Sequence, residues 1–209
     1  MSVVVRPTYS PTVRVRGIDV YEHFLLGPSQ MALLDDIRAI TRSAPLFRPK
    51  TRTGKEMSVR MTSAGKFGWY ADQKGYRYIR HHPSGSPWPE IPASVMQIWD
   101  EVSGSARRPE CCLVNFYDAD ARMGLHQDRD EADMNEPVVS ISLGDDALFR
   151  VGNTSRGGST ESIWLRSGDV CVMSGDARLV YHGVDRIAPH TSTLLPRGGR
   201  INLTLLVVT

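Results

Sequence analysis

After residue 110 the chain becomes a series of short apolar runs separated by turn-forming residues. The runs are CLVNFY, VVSISLG, LFRVG, SIWL, DVCVMSG, RLVYHGV and INLTLLVV, and Gly, Asn, Asp and Pro recur between them. Several short strands at close spacing are typical of antiparallel all-β architectures. The pattern therefore predicts an antiparallel sandwich or jelly roll for residues 111–209.

Two segments before residue 110 have helical periodicity. The first, PSQMALLDDIRAITRS, covers Pro28–Ser43 with Ser29 as its predicted N-cap, and the second runs from Pro92 to about Val102. The predicted apolar faces are Met31, Leu34, Ile37 and Ile40 in the first segment and Val95, Ile98, Trp99 and Val102 in the second. The stretch between the two is rich in Gly, Thr and aromatic residues, so we expect hairpins and loops there. The expected fold class is α+β, mainly β.

The size and composition of the chain favour one soluble domain over residues 1–209, with an N-terminal part (1–110) on a β-rich core (111–209). The hydrophobic fraction of 41% and the charged fraction of 23% are those of a globular protein, and no apolar run is long enough for a membrane span. Arginines and prolines interrupt the first residues, so we expect no secretory signal and a cytoplasmic location. Cys111, Cys112 and Cys171 include no CxxC pair, which argues against a disulfide framework or a zinc knuckle.

Positive charge is concentrated before the β-rich part, although the net charge of the chain is only +2. Between Ile37 and Ala71, Glu56 is the single acid. The basic residues in the same interval are Arg38, Arg42, Arg48, Lys50, Arg52, Lys55, Arg60 and Lys66. We expect this basic stretch to form a local positive face.

The heptapeptide LHQDRDE, residues 125–131, contains an imidazole and four charged side chains. If residues 125–130 are extended, His126, Asp128 and Asp130 point to one side of the strand. Two histidines and one carboxylate form the open facial arrangement of non-haem Fe(II) oxygenases. His182 is the best candidate for the second histidine, because it ends an apolar, strand-like run and is followed by Gly183, which permits close backbone approach. Catalytic zinc uses the same ligand types, and HxD pairs also arise by chance, so the spacing alone leaves the metal open.

The C-terminal run RGGRINLTLLVVT places Arg200 and Asn202 on one strand face. A buried arginine presents a planar fork of donors that binds a carboxylate through two parallel hydrogen bonds. A dicarboxylate cosubstrate would account for Arg200, whereas an isolated arginine on a terminal strand is more often a surface residue.

Four ordered motifs, NFYDADARMGLHQDRDE, PVVSISLGDDALFRVG, SGDVCVMSGDARLVYHGV and RINLT, resemble the AlkB family of Fe(II)- and 2-oxoglutarate-dependent dioxygenases. The resemblance extends back through MSVRMTSAGKFGWYADQKGYRY and PWPEIP, and covers roughly residues 45–207. It implies a single oxygenase domain with a double-stranded β-helix (jelly-roll) core at 111–209. The part before it, residues 1–110, would hold N-terminal helices and an α/β nucleotide-recognition lid.

The resemblance also implies roles for particular residues. His126, Asp128 and His182 would be the ligands of Fe(II). The predicted 2-oxoglutarate site consists of Asn115, Tyr117, Arg200 and Asn202. One position departs from the family pattern, because Leu206 stands where members commonly carry a second arginine near the metal-side carboxylate of the cosubstrate.

For the substrate, the resemblance assigns Trp69 to stacking on a damaged base and Asp130 to the exocyclic amine of that base. Tyr76, Thr51 and Arg156 would bind phosphates together with the basic stretch. Taken without the resemblance, Trp69 would more often be a core aromatic, Asp130 a surface carboxylate and any one basic residue part of a solvated loop.

The function implied is direct reversal of N-alkylation in DNA, with RNA as a further candidate substrate. Bases such as 1-methyladenine and 3-methylcytosine would lose their methyl group as formaldehyde, while O2 and 2-oxoglutarate yield succinate and CO2. Two alternatives stay open: a related hydroxylase acting on a protein or small molecule, and a non-catalytic nucleic-acid-binding module with a vestigial metal site. We expect a monomer that acts on alkylated DNA and has no membrane partner.

Overall fold

The computed structural model of the protein describes residues 8–209, and the predictions made for residues 1–7, including the missing secretory signal, lie outside this range. Within it the chain forms two α-helices, α1 (Gly27–Ser43) and α2 (Ala93–Val102), and thirteen strands. The strands are β1 (Val13–Val15), β2 (Ile18–Tyr21), β3 (Arg60–Gly65), β4 (Gly68–Asp72), β5 (Gly75–Ile79), β6 (Cys111–Tyr117), β7 (Met123–His126), β8 (Val138–Gly144), β9 (Asp146–Val151), β10 (Glu161–Leu165), β11 (Val170–Met173), β12 (His182–Ala188) and β13 (Arg200–Leu206).

The strands form two large antiparallel sheets and one hairpin. The larger sheet has the order β1-β2-β11-β8-β13-β6-β3, the smaller one has the order β10-β9-β12-β7, and β4 pairs with β5 alone. This arrangement confirms the mainly β, jelly-roll fold class. Strands β1, β2 and β3, which precede residue 110, pair into the larger sheet, and the division into domain parts at that residue stays a prediction.

Two apolar cores hold these layers together. The first lies between the large sheets, where Val138 and Met173 of the larger sheet meet Phe149, Val151 and Val184 of the smaller one. The second covers the other face of the larger sheet, where α1 and α2 pack on residues such as Ile141, Leu203 and Leu205. Because side chains alternate along a strand, β13 contributes to both layers. Ile201, Leu203 and Leu205 belong to the core beneath the helices. The alternate residues Arg200, Asn202, Thr204 and Leu206 line the space between the two sheets.

The helices lie where the periodicity predicts them, with two corrections in α1. Ser29 is not the N-cap: the helix begins at Gly27, with Leu26 at the cap position, because Pro28 fits the first turn of a helix. Met31 is 64% exposed and does not belong to the buried face. That face consists of Leu33, Leu34, Ile37 and Ile40, whereas all four predicted apolar residues of α2 are buried. No helix in residues 8–209 has the length and apolarity needed to cross a lipid bilayer.

Each apolar run identified after residue 110 contains a strand, again with two corrections. His182 is the first residue of β12 and does not end a strand, because the preceding residues follow a short 3-10 helix, Gly175–Ala177. Residues 125–130 are not one extended strand, since β7 ends at His126 and the residues after it are irregular.

The buried face of α1 supports a test of the second core. Ile37→Ala removes a side chain that is 2% exposed and is expected to lower the free energy of unfolding by about 2–5 kcal/mol, because it leaves a cavity. Met31→Ala on the same helix is the matched control and should change it by no more than about 0.5 kcal/mol. Denaturant titration measures both values, and equal losses would contradict the burial of Ile37 against the sheet.

Candidate functional site

A cavity of about 330 Å³ opens between the two large sheets beneath the β4–β5 hairpin. It brings together most of the site residues predicted from the sequence. These are Trp69, Tyr76, Asn115, Tyr117, His126, Asp128, Asp130, His182, Arg200 and Asn202. The lining residues come from distant parts of the chain, so the cavity depends on the sheets being paired correctly.

Two histidines face each other across neighbouring strands of the smaller sheet. In the antiparallel pairing of β12 with β7, His182 lies directly opposite His126, and their ring centroids are 4.6 Å apart. The register shifts immediately after this pair, and a Cβ atom on Gly183 would lie only 2.5 Å from the backbone oxygen of Met123. Glycine therefore allows the close approach of β12 to β7, as the sequence predicts.

Asp128 completes a group of three possible metal ligands. Its Oδ1 lies 3.6 Å from Nε2 of His126, and its Oδ2 lies 3.6 Å from Nε2 of His182. One ligand atom from each residue lies within 4.8 Å of the other two. Such spacings suit donors that converge on a single ion, and imidazole with carboxylate suits a divalent transition metal.

The hydrogen bonds of both imidazoles leave the correct nitrogen free for a metal. Nδ1 of His126 lies 3.0 Å from the backbone oxygen of Gly124, and Nδ1 of His182 lies 3.0 Å from that of Val180. A carbonyl oxygen only accepts, so each Nδ1 carries the hydrogen and each Nε2 presents its lone pair. Burial, followed by the neighbouring His126, lowers the pKa of His182 to about 4, which keeps this ligand neutral near pH 7.

The larger sheet holds a second set of polar residues at the opposite wall of the cavity. In the pairing of β13 with β6, Arg200 lies opposite Tyr117 and Asn202 lies opposite Asn115. The phenol of Tyr117 is buried, which raises its pKa and keeps the hydroxyl group protonated. All four predicted cosubstrate residues therefore come from alternate pairs of one strand ladder, on the two sides of the pair Ile201–Phe116.

Arg200 is 1% exposed, and its hydrogen-bond partners are neutral. Its Nη2 donates to the Ser142 hydroxyl at 2.8 Å and its Nη1 to the Leu165 carbonyl at 3.3 Å, while its buried Nε has no partner in residues 8–209. Burial lowers the pKa of this guanidinium because the charged form loses solvation. A bound carboxylate would place a negative charge beside the guanidinium and give Nε a hydrogen-bond acceptor. The residues present therefore fit a dicarboxylate cosubstrate.

The β4–β5 hairpin places two aromatic rings at the cavity. Trp69 and Tyr76 stack with centroids 5.4 Å apart and an interplanar angle of 25°. The indole Nε1 of Trp69 donates to Oδ2 of Asp130 at 3.3 Å. An aromatic face and a carboxylate thus lie side by side, close to the metal ligands.

Comparison with known proteins identifies the family. Residues 17–205 match the sequence model of the 2OG-Fe(II) oxygenase superfamily. The chain is 50% identical to the alpha-ketoglutarate-dependent dioxygenase AlkB homolog of Caulobacter vibrioides over 196 residues, which cover 93% of this chain and 89% of the relative. The chain belongs to the AlkB family of Fe(II)- and 2-oxoglutarate-dependent dioxygenases. Alpha-ketoglutarate-dependent dioxygenase AlkB of Salmonella typhimurium is 37% identical, with coverages of 90% and 88%.

A solved structure supports the same assignment. The structure of OsALKBH1 superposes with a TM-score of 0.79 at 30% identity, and the match covers 93% of this chain and 97% of that one. This AlkB-family protein is therefore an Fe(II)/2-oxoglutarate dioxygenase whose cofactor and cosubstrates are Fe(II), 2-oxoglutarate and O2. The donor atoms of the His-Asp-His group fit an iron ion, and the buried arginine fits a keto acid with a second carboxylate.

Leu206 lines the cavity at the end of β13, at the position where the sequence departs from the usual AlkB pattern. Arg200 is the single lysine or arginine among the described residues that line this cavity. Apolar side chains such as Met61 and Leu113 surround the same region. No cation from the described chain therefore substitutes at the cavity wall for the missing second arginine.

Thr51 and Arg156 do not line the main cavity. The Thr51 hydroxyl group bonds to Thr53 and to the backbone oxygen of Lys55 within one loop. Arg156 lies over the Tyr181 ring at 6.0 Å, beside a smaller surface cavity. Their predicted contacts with phosphate stay predictions.

Part of the basic stretch is held by acids and backbone groups of the domain itself. Arg60 and Arg48 reach Asp118 at 3.0 and 3.5 Å, and Lys66 reaches Glu110 at 2.8 Å. Arg52 instead lies 5.8 Å from the centre of the Tyr76 ring, next to the hairpin. Arg48, Arg60 and Lys66 are therefore paired with acids of the domain, whereas Arg52 lies next to a residue that lines the cavity.

Three residues near the metal ligands were not predicted from the sequence. Tyr78 on β5 donates to Oε1 of Glu131, and Oε2 of Glu131 accepts from Arg178 at 2.9 Å. The Glu131 and Arg178 side chains are 2% and 3% exposed. Glu131 belongs to the acidic heptapeptide, but no local pattern reveals a partner 47 residues away.

The arginine in the larger sheet generates a direct prediction. Arg200→Met should weaken 2-oxoglutarate binding about 10–100-fold, because a hydrogen bond to a charged group contributes about 1.5–3 kcal/mol. Arg156→Met, which removes an arginine outside the main cavity, is the matched control and should leave this affinity unchanged. Calorimetric titration of 2-oxoglutarate into Mn(II)-loaded protein without O2 gives the dissociation constants. Equal affinities for wild type and Arg200→Met would rule out Arg200 as the carboxylate anchor.

Proposed function

We propose that this dioxygenase removes alkyl groups from nitrogen atoms of nucleic-acid bases, such as 1-methyladenine and 3-methylcytosine in DNA. The main support is the hydrogen bond between Trp69 and Asp130, two residues that line the same cavity as His126, Asp128 and His182. An aromatic face suits the flat surface of a base, and a carboxylate suits its exocyclic amine and positive charge.

The cavity accepts a base only after the base leaves its stack. Enzymes that act on a base extrude it and read it by stacking and by hydrogen bonds. Trp69 would stack on the extruded base, and Asp130 would accept a hydrogen bond from its amine. The alkyl group would then point toward the ligands His126, Asp128 and His182, which line the same cavity.

The residues of the chain orient the reactants for hydroxylation of the alkyl carbon. Fe(II), together with 2-oxoglutarate and O2, supplies the oxidising chemistry. Arg200 would bind the far carboxylate of 2-oxoglutarate and fix its direction, while three protein ligands would leave other positions of the metal free. The apolar side chains around Leu206 and Met61 limit water near the reacting atoms. A hydroxymethyl group on a ring nitrogen is a hemiaminal, and it releases formaldehyde to restore the base.

Phosphate contacts would come from Tyr76, which lines the cavity, and from residues outside the cavity. Thr51, Tyr76 and Arg156, together with Lys50, Arg52 and Lys55 of the basic stretch, are the proposed contacts with the nucleic-acid backbone. We assign DNA as the main substrate, with RNA as a second one, and a cytoplasmic monomer as the working form. Because phosphate binding releases counterions, the affinity for nucleic acid should fall steeply as salt concentration rises.

Demethylation of a defined oligonucleotide tests the proposal. Protein with Fe(II), 2-oxoglutarate and O2 should convert an oligonucleotide containing 3-methylcytosine to the unmodified one, with one succinate formed per methyl group lost. Mass spectrometry of the oligonucleotide and of succinate measures both products. Asp128→Ala, which removes a predicted metal ligand, should abolish both without unfolding the domain.

Two outcomes would overturn the proposed substrate. One is an unchanged oligonucleotide with folded, metal-loaded protein. The other is succinate formation at the same rate with and without the lesion, which would favour a hydroxylase acting on a protein or a small molecule.

Trp69→Ala tests the stacking role separately from the chemistry. Loss of base stacking should weaken binding of the methylated oligonucleotide by about 1–3 kcal/mol. Trp164→Ala is the matched control, because Trp164 lies on β10 and does not line the cavity. Fluorescence anisotropy with Mn(II)-loaded protein, which binds without turnover, gives the affinities. A Trp69→Ala affinity equal to that of Trp164→Ala would remove Trp69 from the substrate site.

A further inference from the structure

Arg178 lies four residues before His182 and is 3% exposed. Each nitrogen of its guanidinium donates to the segment that contains Asp128. Nε donates to the backbone oxygen of Glu136 at 2.7 Å, Nη1 to the backbone oxygen of Asp128 at 2.5 Å, and Nη2 to Oε2 of Glu131 at 2.9 Å. One buried side chain therefore connects the two segments that carry metal ligands.

Gln127 connects the same two segments, but here the side chain lies beside Asp128 and the acceptor lies beside Arg178. Its Nε2 donates to the backbone oxygen of Leu179 at 2.5 Å and to that of Thr154 at 3.1 Å. Residues 127–128 and residues 178–179 thus hold each other through reciprocal bonds from side chain to backbone. We call Arg178 and Gln127, with these bonds, the inter-segment clamp.

The inter-segment clamp lies where strand pairing stops. His126 and His182 are fixed by the ladder between β7 and β12, but Asp128 lies two residues beyond the end of β7 in irregular chain. Its carboxylate would be free to turn away if only the chain connection to His126 restrained it. Groups that orient metal ligands without touching the metal commonly change metal affinity about 10–100-fold when they are removed.

We infer that Arg178 is a positioning residue for the metal centre, and that with Gln127 it holds the carboxylate of Asp128 at bridging distance from the two histidines. This inference rests on the metal site alone and does not depend on the proposed substrate. Glu131 contributes by anchoring the guanidinium, and Tyr78 contributes by anchoring Glu131.

Metal affinity separates this role from a merely structural one. Arg178→Lys keeps the positive charge but cannot serve three acceptors with one planar fork. We expect it to raise the dissociation constant for Co(II) about 10–100-fold and to alter the visible absorption spectrum of the bound ion. Gln127→Met should also raise the dissociation constant for Co(II), because it removes the hydrogen bonds that Gln127 donates to the backbone oxygens of Leu179 and Thr154.

Arg150→Lys is the matched control. Arg150 also donates to a carboxylate, Asp185 at 3.1 Å, and to the hydroxyl group of Thr160 at 3.3 Å, but it bonds neither to residues 127–136 nor to residues 178–182 through its side chain. The control should bind Co(II) with a dissociation constant within about twofold of the wild-type value. Thermal unfolding of the metal-free proteins records how much stability each substitution removes.

The titration uses Co(II) alone, without 2-oxoglutarate or nucleic acid, so its result is independent of the demethylation assay. Wild-type Co(II) affinity in folded Arg178→Lys would overturn the inference, as would an equal loss of affinity in Arg150→Lys. If Arg178→Lys fails to fold, Gln127→Met decides by itself: unchanged Co(II) affinity refutes the inter-segment clamp, and weakened affinity with intact folding supports it.

Discussion

The antiparallel register between β7 and β12 determines the candidate metal site of this protein, because it sets His126 directly opposite His182. The register between β13 and β6 does the same for the predicted cosubstrate residues, where Arg200 lies opposite Tyr117. A slip of one residue in either ladder would turn these side chains to the other face of the sheet. The backbone hydrogen bonds of two strand pairs therefore determine which groups meet in the cavity.

Each of the two large sheets carries one part of the candidate site. The smaller sheet carries the two histidines of the candidate metal site, and the larger sheet carries the buried guanidinium that fits a dicarboxylate. Burial affects both groups of residues. It lowers the pKa of His182, so that the imidazole is neutral and can bind a metal, and it leaves Nε of Arg200 without a hydrogen-bond acceptor, which a bound carboxylate can supply. Asp128 is different, because it lies beyond the ladder and depends on side-chain bonds for its position.

The sequence predicted the strands from local patterns, because short apolar runs are visible along the chain, and its HxD spacing indicated a candidate metal site without identifying the metal. It could not predict which strands pair, and so the meeting of residues 126 and 182 was only the best available choice. The exposure of Met31 was missed because helical spacing does not say which of several apolar residues face the core. The ion pair of Arg178 with Glu131 had no local signal at all, since its partners are 47 residues apart and meet only in the folded chain. The predicted roles of Trp69 and Asp130 come from the family resemblance, because residue types alone would have assigned these residues to the core and the surface.

Three side chains should bind one metal ion and leave room for a keto acid anchored by Arg200. The decisive experiment is a crystal structure of the protein grown without O2 in the presence of Mn(II) and 2-oxoglutarate. We expect one anomalous-scattering peak bonded to Nε2 of His126, a carboxylate oxygen of Asp128 and Nε2 of His182, with the keto acid on the ion and its far carboxylate on Arg200. A metal ion bound elsewhere, or a fourth protein ligand that closes the site, would refute this arrangement.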